Sequence, residues 1–393
     1  MITVIKNGKV ILPDKVLNDA CVVLEEGKII GIGAELPENA DKIIDAEGSY
    51  VSPGFIDMHT HGGDGYLFID GTEEAIRGAC SLHLKHGTTS IVPTISTCPH
   101  EELFELFKVY RGVKAAMNGP EMLGIHLEGP YFAPSQCGAQ NTSFMKTPKP
   151  EDYMPVLDAG GKDIIRMSVA PELDGGMELG DELARRGILA SIGHSDANYD
   201  EVKEAIGHGY THVTHLYSGM SMLHRVNAYR VLGIVESAYL FDELTVEIIA
   251  DGKHLPPELL RLILKNKAHE SISLVTDSIR PAGLPDGTVS FSGTAANPRT
   301  VYVENGVAMM PDRQAFAGSV CTSDRCIRTM HEQAGLSICE AVCMMTCNPA
   351  KVLKVDDCKG SIAVGKDADI CIFDENVNVS KVFVGGRLLA DNG

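Results

Sequence analysis

The chain has 393 residues, 44% of them hydrophobic, and a formal net charge of −19; that length allows one large core with a smaller satellite, since a barrel domain alone takes ~250 residues. The charge argues against a nucleic-acid or anionic-membrane partner, because such surfaces are gripped by an excess of Lys and Arg. An anionic substrate would need local cations and backbone N–H groups to overcome the overall field.

The opening "MITVIKNGKV" carries no apolar h-region, and no segment reaches the ~20 uninterrupted apolar residues of a membrane span, so a soluble cytoplasmic protein is expected. Residues 1–52 read as short strands broken by Asn-Gly and Glu-Gly turns at "KNGKV", "LEEGKIIGIG" and "DAEGSYV". Residues 355–393 read the same way in "GSIAVGKDADICIFD" and "KVFVGGRLL". The two chain ends are expected to pair into one small β-sandwich domain outside the main unit.

From 53 to 354 the pattern changes to short apolar runs separated by helical segments, which implies parallel strands with crossover helices. Eight runs stand out: "GFIDMH", "TSIVPT", "MLGIHLE", "IIRMSVA", "ILASIGH", "THVTH", "TVEIIAD" and "SISLVTD". This is the pattern of an α/β fold of the (β/α)8 TIM-barrel class, whose chemistry sits at the C-terminal strand ends. Helices are expected at "LGDELARRG" and at "PPELLRLILKNK", which opens on proline. Two excursions interrupt the repeat: a Gly/Pro/Ser-rich loop over 129–150 and inserted β structure near 281–316, both placed to line or cover a pocket. The eleven cysteines lack CxxC spacing and fit reduced thiols. Cys339, Cys343 and Cys347 recur at every fourth position and are expected on one buried helical stripe.

Strand side chains alternate, so His59, His61 and Asp57 are expected on one face of the first run. At the ends of later runs stand Glu128, His194, His215 and Asp277, all where barrel strands emerge. Imidazoles with one or two carboxylates form the ligand set of a catalytic Zn, Fe or Mn site with a position open for water, whereas Ca or Mg sites use oxygen. Asp277 is the candidate for proton transfer beside such a centre. Alternation turns His212 to the face opposite His215, a structural role, while His126 could support Glu128 from the layer below. His83, His86, His100, His208, His269 and His331 receive no role.

Together "PGFIDMHTHG", "LGIHLEGPYFAP", "SIGHSDA", "THVTHLYSGM", "VEIIADGKH", "LVTD", "AGS" and "NPAKVL" make the whole chain resemble the amidohydrolase superfamily, and within it the N-acetylglucosamine-6-phosphate deacetylases. The resemblance implies a metal-bearing barrel in which Glu128, His194 and His215 hold a core ion and His59 and His61 help hold a second. One or two divalent ions per subunit are thus implied, with two preferred because "HTH" is intact. The implied reaction is hydrolysis of the acetamide of a phosphorylated amino sugar by a metal-activated water, with Asp277 carrying the proton.

For the phosphate the resemblance implies Ser218, Gly219, Arg225 and His254, with the arginine and histidine able to come from a neighbouring subunit, hence a homodimer. It further implies substrate contacts from Ala139, Gln140, Asp251, Phe316, Ala317 and Gly318. Three departures fall on the substrate side. "SGM" replaces the family's "NAM", Arg230 competes with Arg225 in "HRVNAYRVLG", and Gln140 stands where relatives often carry a histidine. These leave open an N-acetylgalactosamine 6-phosphate substrate, or a different amidohydrolase acting on N-acyl amino acids or cyclic amides. A non-catalytic scaffold would require decayed ligands, and none has decayed.

Overall fold

The structure is a computed structural model that describes residues 1–33, 40–293 and 298–393. All eight expected runs are parallel strands: Phe55–Thr60, Thr88–Ser96, Ile125–Glu128, Ile164–Val169, Leu189–Ile192, Tyr210–Val213, Thr245–Ile249 and Ile272–Val275. Their order in the sheet follows the chain. The first and eighth strands are joined where Asp277 N donates to His59 O at 2.9 Å. Thr276 Oγ1 donates across the same seam to Asp57 at 2.6 Å.

A helix follows each strand, including Gly176–Arg186 and Pro257–Asn266 at the two expected stretches. The first of these ends on Gly187 at φ 72°, where a left-handed residue satisfies the last carbonyls. The outward faces of the strands, with Ile91, Leu127, Met167, Ile192, Val213 and Leu274, pack against these helices in one continuous apolar core. The inward positions carry Thr94, His126, Arg166, Ser168, Thr214 and Glu247, all buried. Such a polar interior is tolerable only because its members hydrogen-bond one another.

The terminal segments form a separate sheet in which Ile2–Ile11 pairs with Val16–Glu25 on one side. On its other side that strand pairs first with Lys42–Asp45 and then with Tyr50–Pro53. Ile370–Phe373, Val379–Val384 and Arg387–Asp391 extend the latter half, and Val10, Val22, Leu24, Val51, Ile370 and Phe383 form a core of their own. Glu26 and Glu47, each followed by glycine, take φ of 48° and 51°, as tight turns require. The Asn-Gly of "KNGKV" is a different case: Asn7, at φ 56°, forms a bulge inside one ten-residue strand rather than a turn.

The excursion near 281–316 is a four-stranded antiparallel sheet (Val289–Ser292, Arg299–Glu304, Val307–Met309, Phe316–Gly318), apart from 294–297, which lie outside the described residues. The cysteine stripe is corrected. The helix Ile338–Met344 buries Ile338, Ala341, Val342 and Met344, so Cys339 and Cys343 flank the buried face. The chain then breaks at Met345, leaving half-buried Cys347 to start a second helix, Cys347–Val352.

Candidate metal centre and substrate cleft

His59, His61, Glu128, His194, His215 and Asp277 converge at the C-terminal mouth of the barrel. Glu128 Oε1 lies 3.3 Å from His59 Nε2, 3.5 Å from His194 Nε2 and 3.1 Å from His215 Nε2, while its Oε2 lies 3.3 Å from His61 Nε2. Two groups of ligand atoms result, His59–His61–Glu128 and Glu128–His194–His215, each with all atoms within 4.8 Å of one another. Glu128 belongs to both. Asp277 Oδ1 stands 3.4 Å from His59 Nε2 and 3.2 Å from His61 Nε2, beside the first group.

Three of these residues leave their strands in the left-handed region: His194 at φ 50°, His215 at φ 23° and Asp277 at φ 46°. Non-glycine residues pay strain there and persist only where the surroundings enforce it. The turn at His215 also explains an error of strand alternation. His212 does not face away: it is buried in the barrel interior with Nε2 3.4 Å from Glu247 Oε2, because the left-handed turn at His215 swings that residue back inward. Asp57 does not join the histidine pair, since its carboxylate is engaged by Thr276 across the seam.

The Nδ1 atoms of three imidazoles are held by their own partners: Glu247 for His59 at 2.5 Å, Ser96 Oγ for His61 at 3.0 Å and the carbonyl of Gln136 for His194 at 2.7 Å. Such anchors fix each ring with Nε2 directed at the cluster. His126 packs edge-on beneath His59, ring centroids 4.7 Å apart, and is itself fixed by Thr94 and Ser168.

Burial disfavours a charged His61, yet Asp277 and Glu128 outweigh it and raise the imidazole to about 9. Burial likewise opposes a charged Asp277, and His59 and His61 outweigh it and hold the carboxyl low. The cluster therefore draws positive charge between its carboxylates. His59 Nε2 is buried without a hydrogen bond of its own, close to both Glu128 and Asp277. This donor set, with its unpartnered imidazole nitrogen, fits a divalent transition ion.

The cleft above is lined by His61, Glu128, His194, His215 and Asp277 together with the expected Ala139, Gln140, Ser218, His254, Phe316, Ala317 and Gly318. Asp251 lies beneath it and fixes His254, accepting from its backbone N and pairing with its Nδ1, each at 2.8 Å. Gly219 packs beside the His194 ring, where an added Cβ would sit 2.7 Å from Nδ1. Gln140 braces the centre: its amide donates to Glu128 while its Oε1 accepts from Thr97 N at 3.1 Å. Arg225 does not line the cleft of its own chain. It sits on an exposed hairpin, His224–Val226 with Tyr229–Val231, directly across from Arg230.

Sequence reasoning passed over Arg299, which enters the cleft from the inserted sheet and donates to Ala139 O. It also passed over Glu247 and Arg166 inside the barrel, whose only signal was a charged residue interrupting each of two apolar runs.

The amidohydrolase family profile matches residues 50–389. The N-acetylglucosamine-6-phosphate deacetylase of Bacillus subtilis is 33% identical over 390 residues, 98% of this chain and 96% of that one. A mutant of the Mycobacterium smegmatis N-acetyl-D-glucosamine-6-phosphate deacetylase, solved with N-acetyl-D-glucosamine-6-phosphate, superposes with a TM-score of 0.89 at 30% identity, covering 99% of both chains. The N-acetylglucosamine-6-phosphate deacetylase of Pasteurella multocida gives a TM-score of 0.91 at 29% identity over 100% of both chains.

Proposed function

The chain belongs to the amidohydrolase family, and from that premise we propose that it hydrolyses the N-acetyl group of N-acetylglucosamine 6-phosphate to glucosamine 6-phosphate and acetate. The observation that carries this reading is Glu128 shared between two ligand groups, with Asp277 3.2 Å from one of their imidazoles. The relatives that share the fold over its whole length carry this activity.

Glu128, His194 and His215 would hold one divalent ion, and His59 and His61, with Glu128 between, a second. Zn, Fe and Mn all suit the imidazole–carboxylate set. Ions bound there supply Lewis acidity, which brings a water near ionisation at neutral pH and polarises the amide carbonyl. Asp277 Oδ1 takes the proton of the attacking water and passes it to the amide nitrogen as the C–N bond breaks, so acetate and a free amine leave.

Ser218, Gly219 and His254, the last oriented by Asp251, are assigned to the phosphate. Ala139, Gln140, Phe316, Ala317 and Gly318 form the walls around the sugar. Arg225 is assigned to the cleft of a partner subunit in a homodimer, a role supported by Met222, Leu223, Val226 and Tyr229, which are 47 to 79% exposed on and beside its hairpin. Eleven cysteines without CxxC spacing fit a reducing cytoplasm.

The test is acetate release from N-acetylglucosamine 6-phosphate, N-acetylgalactosamine 6-phosphate, unphosphorylated N-acetylglucosamine and an N-acyl amino acid, using enzyme reconstituted with each metal. N-acetylglucosamine 6-phosphate is expected to react fastest. Removing the phosphate is expected to cost roughly 10- to 100-fold in kcat/KM for each charge-assisted bond lost. Faster turnover of the N-acyl amino acid would overturn the assignment.

A further inference from the structure

Glu247, in the middle of the seventh barrel strand, is fully buried and touches both ligand groups. Its Oε1 lies 2.5 Å from His59 Nδ1 and accepts from the backbone N of His215 at 3.0 Å. Its Oε2 pairs with the equally buried Arg166 at 2.6 Å. Arg166 spends its other donors on Ser191 Oγ, Met58 O and Thr214 Oγ1, so the guanidinium is locked from four sides. One carboxylate thus fixes a ring on the first strand and a left-handed backbone turn after the sixth.

We propose that Glu247, held by Arg166, is the positioning residue that couples the two metal positions: it presents His59 Nε2 to the second ion and fixes the turn that presents His215 to the first. A carboxylate on the far nitrogen of a ligating imidazole selects the tautomer and raises its basicity. Burial makes that anchor rigid, because the ion pair has no competing water. The inference rests on the ligand roles proposed above, but its readout is metal occupancy and does not involve the sugar.

The experiment measures bound metal by mass spectrometry, and dissociation constants by chelator competition, on wild-type and Glu247→Gln protein with circular dichroism in parallel. Wild-type protein is expected to hold two equivalents. Glu247→Gln should weaken the second by about 10- to 100-fold, the usual effect of removing such a support, so that one equivalent survives dialysis. Because the single change unpairs Arg166, the double variant Arg166→Met/Glu247→Leu is run beside it; replacing a buried pair with apolar residues often preserves stability. It should fold and hold the first equivalent more weakly as well, because leucine offers His215 N no acceptor. Two tightly held equivalents in either folded variant overturn the proposal, as does unfolding of both, which would make the role purely structural. Two equivalents in wild-type protein without acetate release would sink the deacetylase assignment and leave this one standing.

Discussion

Asp277 combines three properties needed for proton transfer beside a metal centre. Its carboxylate borders the cleft, its φ of 46° turns it in from the strand end, and the imidazoles His59 and His61 outweigh burial to keep it in its basic form. Asn has nearly the same shape and can still accept a hydrogen bond, but it cannot take a proton. Asp277→Asn is expected to retain bound metal and lose 10²- to 10⁴-fold in kcat, roughly the range for loss of a general base. Steady-state kinetics with metal analysis on the same sample checks this, and a near-wild-type kcat would remove Asp277 from the mechanism.

At the level of elements, the barrel was legible because seven of the eight apolar runs end in a polar residue, and those ends are where the fold gathers its chemistry. His59 and His61 were legible for the same reason, since period-two spacing puts both on one side. Alternation failed at His212 because it assumes extended backbone, and the chain has already left the strand when it reaches His215. Glu247 was illegible: one glutamate in "TVEIIAD" carries no spacing signal, and its partners come from three other strands. The hairpin at 224–231 was equally hidden, because "HRVNAYRVLG" reads as loop until Asn227 and Ala228, at φ 47° and 72°, fold it back.

That hairpin sets Arg225 directly across from Arg230, and two guanidiniums facing each other are destabilising unless an anion lies between them. With neither in its own chain's cleft, the element suits donation to a neighbour's phosphate. Arg225→Ala protein should therefore show a raised KM for the phosphorylated substrate. Mixed with Asp277→Asn protein under subunit exchange, it should regain part of the wild-type rate, because one cleft in the mixed dimer has both groups intact. Rates in the mixture no greater than the sum of the separate variants would exclude donation across subunits.

At the scale of the whole molecule the small sheet is fastened to the barrel at several points, among them Arg328 on the carbonyls of Asn376 and Val377, Asn392 on Lys85 O, and Lys359. Lys359 Nζ lies 2.8 Å from Glu121, 3.0 Å from Asp367 and 2.8 Å from Asp369, joining the short barrel-edge strand Glu121–Met122 to the approach to Ile370–Phe373. These three carboxylates are close enough together to hold a metal ion, but the ammonium already stands among them. Burial opposes a charged Lys359, yet Asp369 and Glu121 outweigh it and raise its pKa, so its contribution is complete below the ordinary lysine value and is lost only in strong alkali. Lys359→Met leaves Asp369 buried without a cation, a loss of roughly 3 kcal/mol at the low end for a broken buried pair, because Glu121 and Asp367 are partly solvated. Burial already raises Asp369, and removing Lys359 raises it further. The variant's deficit should then shrink as pH falls, because the raised carboxyl takes its proton in the folded chain while the unfolded chain's aspartate is still ionised. Calorimetry at pH 8 and pH 5 reads this directly: a Tm deficit at the higher pH that narrows at the lower supports the staple, and a deficit independent of pH would show that Lys359 acts through packing alone.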